Sequence, residues 1–180
     1  MERYDFLLIP GDHLYRGAEI AACINCRDTG VDMEFDLITD LTAHLYTELE
    51  GFDRLGIALR GLWSNGEVTL FFDPEQVDLN EDQVLARFAS MAGTPVYRFA
   101  ILPDFEVFIY TKFDGQRVRD FYVHEGEVMC DEGSPTPEEQ GFTLNERINA
   151  DGLEGMLLGL GVDLAAIEPP YLSKRFERIG

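Results

Sequence analysis

Cys23 and Cys26 bracket Ile24-Asn25 and form a C-x-x-C. Thiols at that spacing do redox chemistry at a strand-to-helix junction where a nearby cation lowers one pKa. With a second ligand pair they bind zinc instead. Here the pair follows Glu19-Ile20-Ala21-Ala22, which reads as the end of an apolar helix. The paired candidates for further ligands, His124 and Cys130, stand six residues apart, a loose spacing. Structural thiols are the better reading, so no metal and no cofactor is expected. Cys130 makes the cysteine count odd, which argues against a disulfide framework.

His13, His44 and His124 show no local partner pattern, so a Cys–His nucleophile pair would have to form in space rather than in sequence. Glycosidase-type acid/base work needs two carboxylates about 5–10 Å apart in a cleft. With 34 Asp and Glu in the chain, nothing marks which two. No phosphate-cradling glycine loop occurs, and Gly159-Leu160-Gly161 lacks the rest of a dinucleotide pattern. The expectation is a protein without catalytic residues.

The acids outnumber Lys and Arg 34 to 14, a formal net charge of −20 over 180 residues. They are spread between apolar segments, and hydrophobic residues make up 46% of the chain. That is a folded acidic protein, not a disordered tract. Its surface repels nucleic acid and anionic membranes and attracts basic partners over a salt-dependent range. Lys112 and Lys174 are the only lysines, a bias that a GC-rich genome or halophilic adaptation would also produce. No long apolar run or basic leader is present, so the expected location is cytoplasmic.

These side chains are carried by elements of changing period. Tyr4 to Ile9 reads as a strand closed by Pro10-Gly11, and Ala18 to Cys26 as a short helix. Asp32 to Leu49 spaces Leu37, Ile38, Leu41, Leu45 and Leu49 as an amphipathic helix, with Gly51 as C-cap. Leu55–Leu62 and Glu67–Phe72 flank Asn65-Gly66, a hairpin signal. Asn80 with Gln83 predicts a capped helix ending at Gly93. Val96–Leu102, Glu106–Phe113, Arg117–His124 and Glu127–Cys130 follow as strands with connections too short for anything but antiparallel neighbours. Arg117 and Arg119 should share one face, paired with acids such as Asp120 or Glu106. Asp131 to Gly141 is the clearest loop. Asp151 can cap a further helix, and Tyr171 to Gly180 remains as a short basic tail. The prediction is one α+β domain over residues 1–180, an antiparallel meander packed against helices on one face.

Partner-binding candidates follow from charge and position. Trp63 sits at a hairpin shoulder, where an interface anchor and a core residue are both open readings. Glu125, Glu127, Asp131, Glu132, Glu138 and Glu139 bracket the end of the meander and its loop, a ridge suited to a basic cleft.

The run from Arg117-Val118-Arg119-Asp120 through His124-Glu125-Gly126-Glu127-Val128 leads into that loop, and then to Leu158-Gly159-Leu160-Gly161-Val162 before Asp163. This last third resembles small acidic bacterial immunity proteins of polymorphic toxin systems. The resemblance lies in order and texture, without a diagnostic motif, and carries over no specific residue. It implies a cytoplasmic α+β protein that occludes a basic or deep-clefted toxin domain. Two other readings stay open: a small carboxylate-dependent hydrolase or transferase, with or without assistance from a metal, and a nucleic-acid mimic that inhibits a DNA-binding protein.

Overall fold

A computed structural model describes residues 3–54, 56–140 and 149–179, with residues 48–54 as backbone only. The expected starting point Leu55 and loop end Gly141 lie outside the described residues. The strands are β1 (Tyr4–Pro10), β2 (Cys26–Phe35), β3 (Ile57–Ser64), β4 (Val68–Phe72), β5 (Val96–Leu102), β6 (Val107–Phe113), β7 (Arg117–His124), β8 (Glu127–Glu132) and β9 (Tyr171–Arg178). They form one sheet in the order β2-β9-β3-β4-β1-β5-β6-β7-β8, antiparallel throughout. The helices are α1 (Gly17–Cys23), α2 (Ile38–Arg54), α3 (Asp82–Ala92) and α4 (Ala150–Gly159).

The α+β meander is as expected, but the helices cover both faces. The central strand explains why. Leu7 and Leu8 of β1 are both fully buried, and consecutive strand residues point to opposite faces, so each face needs a cover. Leu41 and Leu45 of α2, with Leu153, Met156 and Leu157 of α4, pack on the side of Phe6, Leu8, Leu70 and Phe99. Ile20 and Cys23 of α1, with Val84, Leu85 and Phe88 of α3, pack on the side of Leu7, Ile9 and Phe71.

Local signals set several boundaries. Asn65 Oδ1 accepts from the amides of Glu67 and Val68, and Gly66 adopts a φ of 90° to close the β3–β4 hairpin. Gly93 ends α3 in the left-handed region. Other boundaries moved. The α3 N-cap position is Glu81, and Asn80 instead takes a 2.6 Å bond from Arg98. Asn149, not Asp151, caps α4 through the amide of Gly152. Helix α2 runs on past Gly51 to Arg54. The residues before it are edge strand β2, and the expected basic tail is β9, a strand buried between β2 and β3.

Beneath α1 and α3 runs a seam of buried charge. Lys174 and Arg60 stand opposite each other on β9 and β3, at 3% and 0% exposure. Two cations side by side demand acids on their outer flanks. Asp32 takes Lys174 Nζ at 2.8 Å. Arg60 is held by Asp78 at 2.6 Å, Glu75 at 2.5 Å and Asp73 at 3.5 Å, and donates to the Leu59 carbonyl at 2.9 Å. Asp73 also accepts from the amides of Glu75 and Asp78, so one carboxylate fixes both the turn after β4 and the guanidinium.

Candidate partner-binding surface

Strand β8 closes the β7 end of the sheet as an edge. Its hairpin with β7 turns on Glu125 and Gly126, with φ of 51° and 76°, the two-residue type I′ geometry that matches strand twist. The Glu125 amide donates to the Glu106 carbonyl at 3.1 Å, bringing a further exposed acid to the same end. A register shift between Tyr122 and Val123 makes Met129 the extra residue of a bulge. Val128 and Met129 are 44% and 58% exposed. Bulges and edge acids oppose the addition of another strand, so a partner here must be met by side chains.

The seven residues expected to bind a partner separate into three groups. Trp63 belongs to the core: alternation on β3 turns it toward α4, it is 4% exposed, and its Nε1 donates to the Glu168 carbonyl at 2.6 Å. It cannot anchor a partner. Glu139, Glu138 and Asp131 bind this chain's own cations. Glu139 is 4% exposed and receives Arg119 Nε at 2.9 Å, while its Oε2 accepts from the Thr136 amide at 2.7 Å. Asp131 takes Arg119 at 2.6 Å, and Glu138 takes Lys112 at 3.0 Å and the Tyr97 hydroxyl at 3.0 Å. Glu125, Glu127 and Glu132 are exposed, and none of them pairs with a cation among the described residues.

The Asp131–Gln140 segment is therefore a docked strap rather than a free loop. Arg119, fully buried, pulls it down through Glu139 and through the Glu132 carbonyl at 2.9 Å. Arg119 does not share a face with Arg117. The β6–β7 register shift sends Arg117 to Asp82 at the start of α3, at 2.7 Å, and to Asp120 at 3.1 Å. Sequence reasoning treated the acids of this loop as equivalent. The signal that sorts them is Thr136-x-x-Glu139, a capping box.

Burial raises the Glu138 carboxyl, but the bonds from Lys112, Thr136 and Tyr97 outweigh it and hold the pKa below the usual 4.5. Because the folded state holds this proton less tightly, its stabilising contribution is present above pH 4.5 and is lost as pH falls through the lower folded value. Protection of the 133–140 amides, taken relative to their intrinsic exchange rates, is expected to fall in acid before that of β6. Equal loss of protection in both would contradict this.

The C-x-x-C thiols, His13 and His44 lie apart from this edge. Cys23 and Cys26 lie at a helix-to-strand junction. Burial pushes the Cys23 thiol up to about 11 and raises that of Cys26. The Cys23 sulfur meets Met91 at 4.0 Å. His13 is locked between the Pro10 carbonyl and Arg16, each at 2.8 Å, and His44 lies against the Phe35 ring at 5.2 Å. No group of three metal-ligating side chains occurs among the described residues.

At the opposite edge, Val31 and Met33 of β2 are also exposed; Asp28 and Asp32 there are engaged by Lys174, and Glu34 is exposed without a cation among the described residues. On β8 the exposed apolar pair lies among three such acids, Glu125, Glu127 and Glu132, against one on β2.

Comparison with protein-family models, curated proteins and solved structures gave no match.

Proposed function

We propose that the chain is a non-enzymatic binding protein that occludes a basic partner with the β8 edge, in the manner of a cytoplasmic immunity protein neutralising a toxin domain. One observation supports this above the rest: Val128 and Met129 stand exposed among Glu125, Glu127 and Glu132, whose charges no cation of the described chain offsets. An apolar centre with a charged rim is the usual anatomy of a specific interface. The rim raises the association rate, and the centre, once dry, slows dissociation. A stable complex buries about 800 Å² on each partner, so the contact must spread from β8 over Gly133–Pro135 and the neighbouring face of β7.

The test is capture of the tagged protein's partner from its native host, followed by kinetics on the purified pair. E125K/E127K/E132K is expected to slow association about tenfold or more at low salt while changing dissociation little. M129A is expected to speed dissociation about tenfold, as truncation of an interface anchor does. Association unchanged by the triple reversal, or insensitive to salt, would overturn the proposal.

A further inference from the structure

The register of β6 to β8 sorts their side chains onto two faces, because directly opposite residues point the same way. Phe121 stands opposite Asp131 and Val123 opposite Val128, on the side of α4 and of the strap held by Arg119. The other face carries three rows: Thr111, Asp120 and Glu132; then Ile109, Tyr122 and Cys130; then His124 with Glu127. Helices α1 and α3 cover this side of the sheet elsewhere. Among the described residues their core takes only Val96 and Phe113 from β5 to β8. Ile109, Tyr122, His124 and Cys130 are left half-buried.

Two aromatic rings stand at the centre of this open face. Those of Tyr122 and His124 are parallel within 10°, with centroids 6.3 Å apart. Neither the phenol nor the imidazole has a hydrogen-bond partner among the described residues. The charges around them are acidic, and only some are spoken for. Asp120 is taken by Arg117 at 3.1 Å and by the Thr111 hydroxyl at 2.8 Å. Glu127, directly across from His124, and Glu132, across from Asp120, meet no cation among the described residues. Burial first, then Asp120 and Glu132, raise the Cys130 thiol, so the middle row lies in a negative field.

We propose that this face binds an arginine side chain of the basic partner, its guanidinium stacked on Tyr122 and His124 and donating to Glu127. The proposal rests on the partner-binding reading above and names the group that the β8 end of the sheet would recognise. The chemistry selects arginine. A guanidinium is planar and weakly hydrated, so it can lie on an aromatic face while its edge N–H groups reach a carboxylate. A lysine ammonium gains from the carboxylates but holds its water and has no plane to stack. A neutral anchor would leave Glu127 covered and unpaired.

The experiment titrates the full chain with hexa-arginine and hexalysine, acetylated and amidated so that their charges match, at physiological salt. Calorimetry reads affinity, and NMR shifts of the β7 and β8 amides and of the two rings read location. Both peptides are expected to shift the amides of 125–132. Hexa-arginine should bind about fivefold tighter, and it alone should move the Tyr122 and His124 ring resonances. Tyr122→Val with His124→Thr, both good strand residues, should bring hexa-arginine to the hexalysine value and leave hexalysine unchanged. The ring resonances of the unaltered chain carry the test if that variant folds poorly. Equal affinities with still rings, or an arginine advantage that survives loss of both rings, overturn the arginine anchor and leave a basic partner on β8. Absence of any shift at 125–132 with either peptide removes both readings.

Discussion

Arg60→Met is expected to destabilise the protein by about 3–5 kcal/mol, the usual cost of removing one side of a buried ion pair. The side chain is wholly buried and lies among Asp73, Glu75 and Asp78. Without it, Arg178 alone remains to offset Glu75, and Asp73 and Asp78 repel each other in a low dielectric. Domains carry about 5–15 kcal/mol in total, so this substitution removes a large share of it. Arg60→Lys is expected to recover part of the loss and no more. Its point charge cannot reproduce the two bonds to Asp78 at 2.8 and 2.6 Å together with the one to the Leu59 carbonyl. Denaturant unfolding of the three proteins checks this. A loss below about 1 kcal/mol for Arg60→Met would show the seam to be solvated rather than dry.

Glu139→Gln is the second large effect, expected at about 3 kcal/mol. It leaves buried Arg119 with Asp131, which is 45% exposed and therefore a weaker, solvent-screened partner. The amide also weakens the capping box, since Glu139 Oε2 accepts from the Thr136 amide and lies 3.3 Å from its hydroxyl. The damage should be local: exchange protection falls across 133–140 while β3, β4 and β1 keep theirs. Arg119→Met with Glu139→Met is expected to be less destabilising than either single change, because both charges leave together and the site becomes apolar. Additive losses in that cycle would contradict a coupled pair.

What the sequence disclosed, and what it hid, follows from how each element is stabilised. The four strands β5 to β8 and the β3–β4 hairpin were legible because their limits are turn residues acting locally: Asn65-Gly66, Asp114-Gly115, Glu125-Gly126. Strand β2 was hidden because a charged edge strand, Asp28 to Glu34, has no buried face to impose alternation. Strand β9 was hidden for the opposite reason. Ser173 and Lys174 sit at interior positions, made tolerable by Asp28 and Asp32 some 140 residues away in sequence, and no local pattern reports such a partner.

The same distinction governs the site. Glu125, Glu127 and Glu132 were identifiable by charge and by the turn that presents them. That Glu138, Glu139 and Asp131 serve Lys112 and Arg119 is a tertiary fact, and so is the loss of Trp63 to the core. The cavity beside α2 was invisible, since it joins the start of β1, the ends of β4 and β5, and one side of α2. No helix among the described residues is long and apolar enough to cross a membrane.

The most direct measurement is amide hydrogen exchange on the purified chain alone and bound to its captured partner. Contact by the β8 edge predicts new protection confined to Glu125–Pro135 and the adjoining face of β7, with β2 and α2 unchanged. Protection concentrated on Val31 and Met33 of β2, or on Thr39–Tyr46, with β8 exchanging as in the free protein, would contradict it.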